Sequence, residues 1–359
     1  MEINLNTLLK TMIEAGASDM HISAGSPPAF RINGQMVRSK TAPFSPEDTK
    51  MLVYSLLTEE QRKRFEENKE LDFGFGVRAV ARLRANLFMQ RGAVTAVFRR
   101  VPNEVPTVES VGLPESLTKL MDKPHGLVLV TGATGSGKST TLAALVDHYN
   151  QNYKGHIVTV EDPIEFTHTH GQCIVNQREL GADSSSFSVA LRQVLREDAD
   201  VVMVGEIRDE ATAEAALKAA ETGQLVLSTL HTNGAIASIN RFVQMFSGER
   251  QHYIRSLLSF TLEAVISQAL CKKADGSGRV LALESLYMTP AVRNLIRENK
   301  MHQVYGHMQV GQENHDMQTM NQSLATYVRR GVITLEEAMA YSTDVEELMK
   351  QVGGMGRVA

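Results

Sequence analysis

Gly126-Leu127-Val128-Leu129-Val130-Thr131-Gly132-Ala133-Thr134-Gly135-Ser136-Gly137-Lys138-Ser139-Thr140 is the stretch that decides the fold. An apolar run of strand length, Leu127 to Thr131, enters a glycine-rich loop of the pattern G-x-x-x-x-G-K-S, and an amphipathic helix near Lys138 to Tyr149 leaves it. Strand, glycine loop and helix in that order form a phosphate cradle. The glycines let backbone N–H groups turn inward, and the helix N-terminus adds partial positive charge. Residues Gly132 to Thr140 are thus the candidate nucleotide site, with Lys138 assigned to the β- and γ-phosphates of ATP and Ser139 to Mg²⁺. A glycine-rich turn without a ligand is the plainer alternative.

Working outward, short apolar runs recur at Ile157 to Val160, Val201 to Val204, Leu225 to Ser228 and Val280 to Ser285. Helical periodicity falls between them, near Phe187 to Arg196, Asp209 to Thr222 and Ala235 to Met245. This alternation predicts an α/β domain of parallel strands with crossover helices. From about Thr289 onward the pattern becomes purely helical.

Open α/β sheets place ligands at the carboxyl ends of their strands. Asp200-Val-Val-Met-Val-Gly205-Glu206 sets a carboxylate at one such end, where Glu206 would orient or deprotonate an attacking water and help to hold Mg²⁺. Standing alone, such a residue is more often a turn or a helix cap. Glu161-Asp162-Pro163-Ile164-Glu165 follows another strand, stopped by Pro163, and its carboxylates Glu161, Asp162 and Glu165 suit Mg²⁺ held through water. A surface turn is the alternative there. His231, after the strand ending at Ser228, is placed to sense a γ-phosphate or else to serve as an ordinary structural histidine.

The first hundred residues read as an α+β unit. Leu5, Leu8, Leu9, Met12 and Ile13 recur at helical spacing up to Gly16; extended segments follow at Met20 to Ser23 and Ala29 to Ile32, and helices at Pro46 to Leu57 and Glu59 to Asn68. Asp72 to Arg99 alternates as two or three strands broken at Arg91-Gly92. In one of these strands Arg82, Arg84 and Asn86 fall on one face and Leu83, Ala85 and Leu87 on the other. Those arginines, joined by Arg91, suit a polyanion, or they simply form a solvated face. The phosphate loop carries a single cation, so transition-state charge calls for an arginine from another domain or subunit, which predicts an oligomer. Pro102, Pro106, Pro114 and Pro124, around a short helix at Glu115 to Met121, mark a connecting segment at 101–124.

Composition bounds the function. The chain has 359 residues, enough for two domains, with 43% apolar and 22% charged side chains. Its net charge of -4 offers no electrostatic footprint for nucleic acid. No run is long enough to span a bilayer, and Glu2, Asn4, Asn6 and Lys10 interrupt any signal-peptide core in the first sixteen residues. Cys173 and Cys271 lie far apart, so neither zinc nor a disulfide is expected.

Taken together, the phosphate loop, the box from Glu161 to Phe166, the segment from Asp200 to Asp209 and the Ser228 to Asn233 histidine box resemble the secretion and type IV pilus ATPases. The resemblance spans nearly the whole chain from Ala17 onward. Neither the N-terminal extension nor the four-cysteine zinc motif of the extension motors is expected, which points to the retraction branch. Ala291-Val292-Arg293-Asn294-Leu295-Ile296-Arg297-Glu298 is similar to the AIRNLIRE signature of that branch, with Val292 in place of Ile. Gln224 stands where many members have a second histidine, and Ala199 where a proline is frequent.

The resemblance implies a PAS-like N-terminal domain (1–100), the linker (101–124), a RecA-like core (125–288) and a C-terminal helical region (289–359). It implies catalysis by Glu206, phosphate and Mg²⁺ held by Lys138 and Ser139, and Arg82, Arg84 and Arg91 directed to the γ-phosphate. The 291–298 helix is expected to transmit force. The implied assembly is a cytoplasmic homohexamer at the base of a pilus, docked on an inner-membrane platform protein and sometimes joined by a paralogous ATPase. An accessory retraction motor, a DNA translocase and a non-hydrolysing scaffold are the rivals.

Overall fold

The computed structural model describes residues 4–32, 34–77, 81–101, 104–311 and 316–353. Two compact units divide the chain: Met1–Glu104 with Pro163–Thr167, and Val105–Asp162 with His168–Ala359. Pro102 and Val80 lie outside the described residues, and from Val105 on the segment expected to be a linker belongs to the second unit, where Val108, Leu117, Leu120 and Met121 are buried in the core.

The first unit is one antiparallel sheet in the order β3-β2-β1-β6-β5-β4 with three helices among the described residues. Its strands are β1 (Asp19–Ile22), β2 (Ala29–Ile32), β3 (Gln35–Arg38), β4 (Glu70–Val77), β5 (Ala81–Gln90) and β6 (Ala93–Arg100). Capping boxes start the helices Pro46–Tyr54 and Glu59–Asn68, where Ser45 pairs with Asp48 and Thr58 with Gln61. Along β5 the alternation holds, with Leu83, Ala85 and Leu87 buried in the core and the intervening side chains outside it. Strand β3 escaped the sequence reading because all four of its residues are exposed, leaving no apolar period to detect.

The second unit is built on a seven-stranded sheet in the order β13-β12-β7-β11-β10-β8-β9. The strands are β7 (Gly126–Thr131), β8 (His156–Glu161), β9 (Ile174–Glu179), β10 (Val201–Val204), β11 (Leu225–Leu230), β12 (Leu262–Lys272) and β13 (Arg279–Tyr287). All pairings from β12 to β9 are parallel. Leu127, Leu129, Val158, Val202 and Val226 pack on one face against Phe187, Ala216, Phe242 and Leu258 of the crossover helices. Val128, Val130, Ile157, Val201 and Leu225 pack on the other against Leu142, Leu145 and Val146 of the helix Lys138–Asn152. Burial on both faces is why these strands read as continuous apolar runs.

One expectation needs correction, and one strand was not expected at all. The strand at Val280 to Ser285 is not part of the parallel set, because β13 returns antiparallel against β12 through the connection 273–278. Strand β12, which lies between β7 and the edge strand β13, has no counterpart in the sequence reading: it follows the helix Gly248–Thr261 with no intervening loop, glycine or proline, and carries Glu263, Ser267 and Gln268 among its apolar residues. Beyond β13 come the helices Pro290–Arg297, Val304–Val310, Met320–Arg329, Leu335–Tyr341 and Val345–Gly353. Leu324, Ala325, Ala338 and Leu348 of these helices pack on Ala269, Cys271 and Ala282 of the hairpin. Among the described residues no helix is long and apolar enough to cross a membrane.

Candidate nucleotide and hydrolysis site

Strand β7 delivers its last residue, Thr131, directly into the glycine loop. Gly132, Gly135 and Gly137 have φ of 138°, 80° and 91°, left-handed values that side chains with a Cβ avoid. At Gly132 space also forbids one, because a Cβ would stand 2.5 Å from the Gln268 carbonyl oxygen and 2.7 Å from Ser136 Oγ. Gly137 opens the helix Lys138–Asn152 with no side-chain cap, so the first N–H groups of that helix remain available to an anion. Lys138 is only 6% exposed, and its Nζ donates to the carbonyl oxygens of Gly132 and Ala133 at 2.9 Å each. The ammonium is thus held inside its own loop. Ser136 Oγ and Thr131 Oγ1 are buried there without hydrogen-bond partners, as expected of a cradle built for a further polar ligand.

Neighbouring strand ends converge on Glu206. Strand β10 ends at Val204, and the turn after it is stitched to both neighbours: Gly205 N donates to Val160 O, Thr229 Oγ1 to Gly205 O, and Ile207 N to Thr229 O. Glu206 then forms an ion pair with Arg208 through one carboxylate oxygen, while the other lies 3.3 Å from His231 Nε2. The Glu206 hydrogen bond raises the Arg208 pKa above its ordinary value, and the charges of Glu206 and Asp162 reinforce it against desolvation. Sequence reasoning singled out Glu206 and His231 but passed over Arg208, although it stands two residues from the glutamate.

The acidic box divides. Glu161 is buried and accepts hydrogen bonds from Thr159 Oγ1 (2.7 Å) and Gln177 Nε2 (3.1 Å), which ties it to the sheet. Asp162 is exposed beside Arg208, and Glu165 is exposed within the segment that clusters with the first unit. No three His, Cys, Asp or Glu side chains converge on a metal position among the described residues. A hydroxyl at Ser139 and one exposed carboxylate fit an ion that keeps its waters and takes phosphate oxygens, which is how Mg²⁺ binds.

In the first unit, Arg84 Nε lies 3.4 Å from Asp72 Oδ1, cross-strand on β4. Arg82 is half-buried nearby on the same face, whereas Arg91 sits in the β5–β6 turn with φ of 49°. Nine residue steps along extended strand separate Arg82 from Arg91, roughly 30 Å, so the three do not form one cluster. The helix Pro290–Arg297 buries Val292, Leu295 and Ile296 and exposes Ala291, Arg297 and Glu298, with Asn294 bonded to Glu298. Arg293 faces inward.

A sequence profile described as "Type II/IV secretion system protein" matches residues 1–340. The chain belongs to the type II/IV secretion system protein family. It is 48% identical to "Type IV pilus retractation ATPase PilT" of Pseudomonas aeruginosa over 94% of this chain and 97% of that protein. To "Type IV pilus ATPase PilU" of the same organism it is 42% identical, over 95% of this chain and 89% of that protein. Among solved structures, the pilus retraction motor PilT with bound ADP superposes with a TM-score of 0.90 at 51% identity, covering 97% of this chain and 99% of that one. The Legionella pneumophila ATPase DotB follows with a TM-score of 0.84 at 27% identity, over 94% and 95% of the two chains. As a member of this family the chain is a nucleotide-binding ATPase with the two-part α/β architecture that its sequence implied.

Proposed function

We propose that this ATPase is the motor subunit of a type IV pilus retraction machine, hydrolysing ATP to ADP and phosphate to draw pilin subunits out of the filament. The supporting observation is correspondence over nearly the entire length with a retraction ATPase, in sequence and in backbone, around a complete phosphate loop and a strand-end carboxylate. Backbone amides of Gly132 to Thr140 and the Lys138 ammonium bind the phosphates. Ser139 would hold Mg²⁺, with Asp162 and Glu161 acting through water or neighbouring side chains, and the ion would supply positive charge to the phosphates. Glu206 orients the attacking water and takes its proton, and His231 with Arg208 fixes where that carboxylate points.

Arg82 and Arg84 are assigned to the γ-phosphate charge that Lys138 alone cannot balance, with Arg91 acting separately because of its distance along the strand. A ring of six such chains sits in the cytoplasm against an inner-membrane platform protein. There the exposed residues Ala291, Arg297 and Glu298, with the half-buried Asn294, pass force outward, with Arg293, Leu295 and Ile296 as the framework of their helix.

Deleting the gene tests this reading. Cells that keep surface pili but no longer retract them support it; cells that retract normally would assign the chain an accessory role beside another motor. Turnover of the purified chain stimulated by DNA at moderate salt would overturn both.

A further inference from the structure

We propose that Ser267 and Gln268, neighbours on β12, are positioning residues of the ATPase site: Gln268 fixes the phosphate loop and Ser267 fixes the histidine-box segment. The proposal rests on the ATPase reading of the site and goes beyond it to two residues in a strand that carries none of the motifs. Successive residues of a strand point to opposite faces, so a single dipeptide reaches the elements packed above and below the sheet.

The register places Gln268. Strand β12 pairs in parallel with β7 up to Ser267 and Thr131, so Gln268 stands beside Gly132, where the loop leaves the sheet. Its carbonyl oxygen closes on the Cα of Gly132, and its side-chain amide donates to Thr141 Oγ1 at 2.6 Å. Both side chains are buried. One residue therefore touches the first position of the loop and the first turn of the helix that follows it. The amide oxygen Oε1 is buried without a hydrogen-bond partner. A side chain present only to fill space would need no amide, least of all one left half satisfied. The loop from Ala133 to Ser136 and the β12 residues Ser267 to Leu270 line one cavity of about 610 Å³, so packing alone does not hold the loop there.

Ser267 works on the opposite face. Its hydroxyl accepts from Gly234 N at 2.9 Å, and Glu284, its cross-strand partner on β13, accepts from Ala235 N at 2.6 Å. Two consecutive backbone amides just after His231, Thr232 and Asn233 are thereby anchored to the hairpin. His231 in turn lies against Glu206. The strand thus sets the spacing between the loop that grips phosphate and the histidine that orients the carboxylate.

The two positions should carry different kinetic signatures. A loop that is competent for only part of the time binds nucleotide more weakly by that fraction, whereas a displaced histidine box slows the chemical step. In the full-length chain, Gln268→Met keeps the volume and removes the amide. It should raise the KM for ATP and the Kd for ADP by roughly fivefold to tenfold, with kcat little changed. Thr141→Val should do the same and Thr141→Ser should restore wild-type affinity; the double variant Gln268→Met with Thr141→Val should be no weaker than either single one. Ser267→Ala should lower kcat with KM unchanged. If these variants only lower the melting temperature and leave KM, Kd and kcat at wild-type values, the residues are packing and the proposal fails. Additive losses in the double variant would overturn the Gln268–Thr141 link. Should the wild-type chain itself fail to bind ADP, the ATPase reading falls and the clamp falls with it.

Discussion

A buried ammonium needs acceptors, and Lys138 finds two in the carbonyl groups of its own loop. An incoming phosphate offers the same ammonium a full negative charge at the place where backbone amides already point. Glu206 differs, because both of its carboxylate oxygens face cationic or protonatable partners, Arg208 and His231. Replacing it with glutamine keeps the shape and removes the base, so Glu206→Gln should bind ADP normally and lose turnover by about a hundredfold or more. A phosphate-release assay checks this; undiminished release would remove Glu206 from catalysis. Gly132→Ala tests the loop itself. The added methyl would strike the Gln268 carbonyl and demand a φ that alanine avoids, so nucleotide binding measured by calorimetry should be lost.

At the scale of elements, Arg293 of the helix Pro290–Arg297 and Glu263 and Glu284 of the hairpin β12–β13 tie helix ends to the sheet. Arg293 donates to the carbonyl oxygens of Ser259, Phe260 and Leu262, which end the helix Gly248–Thr261 and begin β12, and pairs with Glu263 at 2.6 Å. Glu263 also pairs with Lys123 at 3.2 Å. Arg293→Ala strips that helix end of its cap and should cost about 2–3 kcal/mol in urea unfolding, whereas the exposed Arg297→Ala should stay within about 0.5 kcal/mol. Comparable losses at both positions would refute the division into an inward and an outward arginine. Glu284 caps two helices at once, accepting from Ala235 N and Met320 N. Burial raises its pKa above the ordinary 4.5, although the two amides favour the carboxylate. A carboxyl with a raised folded pKa holds its proton more tightly when folded, so its contribution is complete below pH 4.5 and is lost as pH rises through the folded value. Glu284→Gln should therefore gain stability relative to wild type between pH 4.5 and neutrality; a difference that stays flat across this range would contradict the shift.

For the whole molecule, the decisive quantity is the assembly that turns over ATP. Light scattering with simultaneous phosphate release should give a mass near six chains for the active species; full activity in a monomer would dispose of a ring. Much of this architecture was legible. The α/β class, the phosphate loop and the strands that lead into Glu206 and His231 follow from local patterns. Each has its own periodicity or glycine signature within about ten residues. Strand β12 was not legible, since its helix-to-strand boundary lacks turn residues and its polar side chains break the apolar period.

What the sequence alone determined is the set of elements whose signals are local: left-handed glycine positions, buried β-branched runs and capping boxes such as Ser45 with Asp48. What only the tertiary structure decided is which distant residues share a contact. That Arg293 turns inward to cap a helix, that Arg91 stands apart from Arg82, and that Gln268 closes on Gly132 all depend on strand register and helix packing. Those are long-range outcomes, because burial and hydrogen bonding at each position depend on partners far along the chain, which no window of sequence contains.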